Sequence, residues 1–335
     1  MMMTDSSSGN DSDKDLHKDS DNDSGGSKRP VDARPSAAAA VAIFALSAAL
    51  LFCARQFVDV REDWLPLWQL IQEIAFFGLP WAVYYQFRPD AKPFTRLTAV
   101  PRVGACVMTA LAALIGLEYF SGLDTLWVTL LSRFGINMDT LGFWLDSSNV
   151  DMDLITALLT AAAAPALFEE LAFRGLMLPA MERYGSGRAA VLVGTLFALT
   201  HMSLLGLPTH LLLGIVLCLL AIASDSLILP MIYHFAHNAG AVAVNYFVQG
   251  DDMMTLRQLL SRDMTLTVFI QTAVSFALWA LMMRSAFTMA SAGQKEHVLG
   301  SIRRERFPRG LAVAVGALVL ALLTVYALQF VTLMI

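Results

Sequence analysis

The sequence predicts an all-α fold, a polytopic transmembrane helical bundle of about eight to nine spans. Hydrophobic residues make up 56% of the 335 residues, charged residues make up only 15%, and the mean hydropathy is +0.59. These values exclude an ordinary soluble domain. Long apolar runs also recur along most of the chain, and the ionisable residues inside them gather near its middle.

A bilayer core requires about 20 apolar residues per helix, and nine segments meet or approach that length. The candidate spans are residues 37–57, 64–87, 103–121, 154–179, 189–205, 207–224, 227–248, 265–283 and 311–332. The fifth and sixth are short, so we predict eight to nine spans. They divide the chain into N-terminal transmembrane helices (36–123), a central core (154–250) and C-terminal transmembrane helices (251–335).

Residues 1–35 form a tail rich in Asp, Ser, Gly and Asn, without an apolar run. Such a segment cannot bury enough apolar surface to offset the entropy of ordering it, so we predict a disordered tail. Its acidic start lacks the basic region of a signal peptide. The composition leaves open whether the tail only solubilises the protein or also docks a partner.

Residues 124–153 are predicted to form an interfacial amphipathic segment. Apolar residues recur there at helical spacing among polar ones, which is typical of a helix lying in the membrane interface. They are Leu126, Trp127, Leu130, Leu131 and Phe134.

Lysine and arginine residues gather on one side of the bundle if nine spans alternate in direction. They are Lys28, Arg29, Arg34, Arg88, Lys92, Arg96, Arg102, Arg183, Arg188, Arg284, Lys295, Arg303, Arg304, Arg306 and Arg309. Because cytoplasmic loops are enriched in these residues, we predict an integral, multi-pass membrane protein with a cytoplasmic N-terminus. Arg55 and Arg61, between the first two spans, run against the pattern.

Three polar motifs lie within apolar helices of the core. They are Glu169, Glu170 and Arg174 in the fourth span, Phe197 and His201 in the fifth, and His234 and Asn238 in the seventh. Ionisable residues in the hydrocarbon layer cost several kcal/mol each unless they are paired or hydrated, so they indicate a functional site. A set of interhelical hydrogen bonds that only holds the bundle together is the structural alternative.

The spacing of the first motif separates two roles. Glu170 and Arg174 share a helix face and can neutralise each other, whereas Glu169 points about 100° away and is free to face a cavity. Together with His201, His234 and Asn238, a free carboxylate supplies the groups that activate water and stabilise an oxyanion. We therefore predict one intramembrane active site.

At these residues the chain resembles the CPBP family of intramembrane proteases, which includes the CAAX prenyl endopeptidases and the bacterial Abi proteins. The family pattern is E-E-x-x-x-R, then F-x-x-x-H, then H-x-x-x-N or D, each on its own membrane helix. The resemblance covers about residues 150–250 and implies a protease core of four helices that cleaves a membrane-associated protein or peptide. Whether that substrate is prenylated stays open.

The resemblance also implies a role for each motif residue. Glu169 and His201 would position and deprotonate the attacking water, and His234 and Asn238 would form the oxyanion hole. Glu170, Arg174 and Phe197 would support that site. The predicted orientation places Glu169 and His234 in the cytoplasmic half of the membrane, with water entering from the cytoplasm.

The sequence leaves open whether a metal takes part and which class of function the protein has. We favour a glutamate-dependent mechanism without a metal because the chain has no H-E-x-x-H helix, but zinc bound by Glu169, His201 and His234 is the alternative. A non-catalytic scaffold or immunity-type protein of the same family is a second candidate function, and a proton-coupled transporter is a third. The predicted partners are the substrate and the lipid bilayer, without nucleic acid, and the oligomeric state is not predicted.

Overall fold

The computed structural model describes residues 33–97, 100–134, 153–247, 265–291 and 305–334, and within these ranges the only regular elements are helices. This confirms the predicted all-α fold. Each of the nine segments predicted as spans contains a helix, although residues 201–205 of the fifth segment lie in a loop. The predicted tail lies outside the described residues except for its last three positions.

The α-helices are α1 (Ala37–Phe57), α2 (Leu65–Glu73), α3 (Leu79–Phe87), α4 (Val103–Arg133), α5 (Leu154–Ala157), α6 (Ala164–Ala172), α7 (Leu178–Met181), α8 (Ser186–Thr200), α9 (Leu207–Ser224), α10 (Ile228–Phe247), α11 (Thr265–Ser291) and α12 (Arg309–Met334). Three π-helical turns join consecutive helices without a break: Ile74–Gly78, Leu158–Ala163 and Phe173–Met177. Short 3₁₀ turns cover Glu62–Trp64, Pro89–Thr95 and Glu182–Tyr184.

Six helical segments among the described residues are long and apolar enough to cross a membrane, so the predicted count of eight to nine spans is not confirmed. They are Ala37–Phe57, Val103–Arg133, Leu154–Tyr184, Leu207–Ser224, Leu266–Ser291 and Arg309–Val331. The other three segments fall short for physical reasons. Helix α8 has only 15 residues, whereas α2 and α10 carry the polar side chains that line the site described below.

Helix α4 extends past the predicted boundary at residue 123. It runs without interruption from Val103 to Arg133, so the first part of the segment predicted as interfacial continues a membrane helix. Residues 135–152, the rest of that segment, lie outside the described residues.

One end of the bundle, which we call the basic end, is held together by ion pairs and hydrogen bonds between loops. The Arg96 guanidinium contacts both carboxylate oxygens of Glu182 at 2.8 and 2.9 Å and Asp225 at 2.9 Å. Arg183 donates to the carbonyl of Pro35 at 3.1 Å. The segments that precede α1 and that follow α3, α7 and α9 therefore meet at this end.

The opposite end, which we call the far end, is joined by side chains that reach one loop, residues 201–206. Arg55 at the end of α1 donates to the carbonyl of His201 at 3.0 Å, and Trp127 in α4 donates to that of Leu204 at 2.9 Å. Gln329 in α12 donates to a carbonyl of the same loop. Successive helical segments therefore alternate in direction between the two ends.

Helices α8 and α9 cross at two glycines. A Cβ added to Gly194 would lie 2.6 Å from the backbone nitrogen of Ile215, and one added to Gly214 would lie 2.7 Å from the carbonyl oxygen of Gly194. Small residues let membrane helices approach this closely. The contact fixes α9 against α8, and it places the Gly214 carbonyl near the site.

We expect Gly194→Ala to destabilise the protein, because the new methyl group would meet backbone atoms that cannot move independently. Overpacking of this kind costs about 1–3 kcal/mol, and thermal unfolding of the purified protein measures it. Gly187→Ala is the matched control: it lies in the first turn of the same helix, with nothing within 4 Å of the added Cβ. Equal stability of the two variants would contradict the close crossing.

Candidate active site

A cleft of about 790 Å³ lies among α1, α2, α6, α8, α9 and α10, and it contains most of the predicted site residues. This volume is within the range of small-molecule and peptide sites. Its lining includes Arg55, Asp59, Gln69, Gln72, Glu73, Pro165, Glu169, Phe197, His201, His210, His234 and Asn238. Glu170 and Arg174 are fully buried behind it.

Two of the three π-helical turns contribute residues to the lining of this cleft, Phe77 from Ile74–Gly78 and Thr160 and Ala161 from Leu158–Ala163. Two of the three flank α6, the helix that carries Glu169 and Glu170, and the third follows Glu73 directly on α2. Turns of this kind are frequent at functional sites. The π turn Leu158–Ala163 packs against α10 and brings the carbonyl of Ala161 to Asn238.

The predicted pair between Glu170 and Arg174 is present. Nη1 of Arg174 lies 2.8 Å from Oε1 of Glu170, and both side chains are fully buried. Nη2 donates to the Gly214 carbonyl at 2.9 Å, and the guanidinium lies 4.5 Å from the ring centroid of Phe197. The arginine thus connects the first motif to α8 and α9.

His234 bridges the two glutamates. Its Nδ1 lies 2.9 Å from Oε1 of Glu170, and its Nε2 lies 3.8 Å from Oε2 of Glu169. His234 is only 2% exposed and Glu169 only 7%. Because Nδ1 carries the proton toward Glu170, the other ring nitrogen faces Glu169 and the cleft.

His201 is oriented by its own helix. Its Nδ1 lies 2.9 Å from the carbonyl oxygen of Phe197, which can only accept a hydrogen bond. Nδ1 is therefore the donor, and in the neutral ring Nε2 remains free to accept a hydrogen bond. The ring also contacts Phe197, at 4.7 Å between centroids, which explains why a phenylalanine precedes it by four residues.

Asn238 lies one turn beyond His234 on α10. Its Nδ2 donates to the carbonyl of Ala161 at 3.2 Å, which leaves the second N–H of the amide for another acceptor. His237, three residues after His234, also lines the cleft, but its ring packs edge-on against Phe120 at 5.4 Å.

A second polar wall of the cleft was not assigned to the site from the sequence. It consists of Arg55 on α1 and of Gln69, Gln72 and Glu73 on α2. Oε1 of Gln69 and Oε2 of Glu73 are buried and have no hydrogen-bond partner among the described residues. The i, i+3, i+4 spacing of the three α2 residues is the sequence signal that could have revealed this face.

His210 is a further residue of the cleft that was not assigned to the site from the sequence. Its ring lies 3.9 Å from that of His201, nearly parallel to it, and its Nδ1 contacts the carbonyl of Gly206 at 2.6 Å. Both residues therefore belong to one imidazole pair at the far end of the bundle.

The zinc alternative is not supported by how the described side chains are grouped. No group of three His, Cys, Asp or Glu side chains within the described ranges could hold a metal ion. In the alternative ligand set of Glu169, His201 and His234, both Nδ1 atoms donate to other acceptors and both Nε2 atoms stay free, and Nε2 of His234 lies 3.8 Å from Oε2 of Glu169. The chelator experiment described below decides between the two mechanisms.

Comparison with known proteins gives one match. Residues 151–240 match the family described as type II CAAX prenyl endopeptidase, Rce1-like. No curated protein and no solved structure matches the chain. The matched residues include all three motifs, and the resemblance noted in the sequence is confirmed. This segment of the integral membrane protein is similar to the Rce1-like CAAX protease family.

Proposed function

We propose that the protein is an intramembrane endopeptidase that hydrolyses a peptide bond of a membrane-associated protein or peptide. The observation that carries this proposal is the convergence of a buried carboxylate, Glu169, with the oriented rings of His201 and His234 on one cleft. The family match over residues 151–240 supports the same reaction class.

The first step is activation of water. Glu169 accepts a proton from a water molecule in the cleft, while the free Nε2 of His201 accepts the second hydrogen bond and orients it. The resulting hydroxide attacks the carbonyl carbon of the substrate. Oε2 of Glu169 suits this role because no described residue engages it in a hydrogen bond.

The second step is stabilisation and collapse of the tetrahedral intermediate. The free N–H of Asn238 and, in its protonated form, Nε2–H of His234 donate to the oxyanion. Glu169 then returns its proton to the departing amide nitrogen as the carbon–nitrogen bond breaks. The products are a carboxylic acid and an amine, and the carboxylate of Glu169 is regenerated.

Glu170, Arg174 and Phe197 support these groups. Glu170 accepts a hydrogen bond from Nδ1 of His234 at 2.9 Å and so holds the ring with Nε2 toward the cleft, as a buried carboxylate orients the histidine of a catalytic triad. Arg174 neutralises part of the charge on Glu170 and rests on Phe197. On the opposite wall, the unpartnered oxygens of Gln69 and Glu73 accept hydrogen bonds from the N–H groups of an extended substrate.

The test is cleavage of membrane-anchored peptides, both prenylated and not, by the purified protein in detergent and in liposomes, with products identified by mass spectrometry. Cleavage at a defined bond supports the proposal, and the preferred peptides identify the substrate class. A folded protein that cleaves no peptide in either setting would favour the non-catalytic scaffold or immunity-type function instead.

We expect a strong chelator to leave this cleavage unchanged, because the proposed mechanism uses only the side chains of the cleft. The measurement is the cleavage rate before and after dialysis against chelator, with zinc added back as the control. A loss of activity that zinc restores would contradict this prediction and assign Glu169, His201 and His234 as metal ligands.

A further inference from the structure

We propose that the cleft opens on the non-cytoplasmic face of the membrane and takes protein segments presented there. The orientation is independent of catalysis, whereas the substrate class rests on the proposed function. An opening on this face differs from the expectation, drawn from the sequence, that water reaches Glu169 from the cytoplasm.

The first observation is where the mouth of the cleft lies. Its outer lining comes from Arg55, Val58 and Asp59, at the end of α1 and in the connection to α2. Arg55 is bonded to the loop 201–206, which defines the far end of the bundle. The lining contains no described residue from the loops that meet at the basic end.

The second observation is the distribution of positive charge between the two ends. The N-terminal end of α1, the α3–α4 connection, the α7–α8 turn and the start of α12 all belong to the basic end. A methyl group on Gly104 of α4 would lie 3.3 Å from the sulfur of Met289, so the C-terminal part of α11 reaches this end as well. The described cations there are Arg34, Arg88, Lys92, Arg96, Arg102, Arg183, Arg188, Arg284, Arg306 and Arg309.

The far end holds far fewer cations. Among the described residues they are Arg55, Arg61 and Arg133, and Arg61 is paired with Asp63 at 2.8 Å. An excess of Lys and Arg marks the cytoplasmic side of a membrane protein. The basic end is therefore cytoplasmic, and the mouth of the cleft faces the other side.

The proposal changes the path that leads to the three motifs and leaves their places along the helices as predicted. Helix α8 begins at the basic end and carries His201 at its far-end terminus, where it meets His210 and Arg55. Water and substrate therefore reach the imidazole pair first, and Glu169 lies deeper in the cleft.

This geometry selects a class of substrate. The mouth combines apolar side chains, such as Val58 and Trp68, with the charges of Arg55 and Asp59. An extended protein segment at the non-cytoplasmic membrane surface has backbone amides and apolar side chains that fit such a lining. A prenylated C-terminus anchored in the cytoplasmic leaflet would meet the closed, basic end instead.

The test uses single cysteines and a membrane-impermeant maleimide on intact cells. The background is Cys53→Ser with Cys106→Ala, while the fully buried Cys218 is kept. Asp59→Cys reports the mouth and Gln69→Cys reports the interior of the cleft. Gly187→Cys, where nothing lies within 4 Å of the side-chain position, reports the basic end.

We expect the maleimide to label Asp59→Cys and Gln69→Cys in intact cells. Gly187→Cys should be labelled only after the membrane is permeabilised. Labelling of Gly187→Cys alone in intact cells would overturn the orientation. Labelling of Asp59→Cys but not of Gln69→Cys in intact cells would overturn the opening of the cleft at this end. Cysteines that react only after permeabilisation at all three positions would also overturn the proposal.

Vesicles of defined orientation test the substrate class. Added peptides should be cleaved by right-side-out vesicles, and cleavage should be lost in sealed inverted vesicles. The reverse pattern would overturn the substrate class. Absence of cleavage even in detergent would count against the endopeptidase function, while the cysteine labelling would still decide the orientation.

Discussion

Glu169→Gln is expected to lower the cleavage rate by about 10²–10⁴-fold, the usual contribution of a positioned general base. The amide of glutamine nearly matches the volume of the carboxylate but cannot accept a proton from water at neutral pH. His201 and Asn238 keep their places because their hydrogen bonds go to backbone carbonyls, and neither involves Glu169. The loss should therefore appear in kcat, with little change in KM.

Glu118→Gln is the matched control for this prediction. It makes the same chemical change on a membrane helix, at an exposed position of α4 that does not line the cleft. Its activity and thermal unfolding should match those of the wild type. Wild-type activity in Glu169→Gln would remove Glu169 from the reaction and leave His201 as the candidate base.

Much of the fold follows from local sequence. Helix α1 covers residues 37–57 and α9 covers 207–224, as predicted from hydropathy alone, because an apolar run of this length has few alternatives in a bilayer. The pairing of Glu170 with Arg174 follows equally from their i, i+4 spacing. Local periodicity is sufficient wherever both partners lie on one helix.

The cleft could not be predicted in the same way because it depends on contacts between distant helices. Glu73 and Gln69 resemble ordinary interhelical polar residues until α2 packs against α6 and the π turn Leu158–Ala163. His210 becomes part of the site only because α9 brings its ring to His201. The predicted count of eight to nine spans stays unconfirmed, because the polar residues that line the cleft make α2 and α10 less apolar than the six segments that qualify by length and composition.

The π turns are another feature that the sequence did not predict. The π turn Leu158–Ala163 ends directly before the helix that contains Pro165 and, four residues later, Glu169. A second π turn follows four residues after Glu169. A π turn therefore lies on each side of the proposed base, and the direction of the Glu169 side chain is set by an irregular helix and not by a loop.

Arg174→Met is expected to destabilise the protein by about 3–5 kcal/mol, the usual cost of removing one partner of a buried ion pair. Glu170 would keep only its contact with His234, and the Gly214 carbonyl would lose its donor. Unfolding by titration with a denaturing detergent measures this change. Cleavage should fall with it, because the position of Phe197 against the guanidinium is lost.

The double variant Glu170→Leu with Arg174→Met separates stability from catalysis. Replacing both charges by apolar side chains of similar size often restores stability, so we expect most of the lost free energy of unfolding to return. Cleavage should not return, because Nδ1 of His234 would have lost the carboxylate that orients it. Recovery of both properties would show that Glu170 serves only to neutralise Arg174, and that His234 is held by its packing against Phe197.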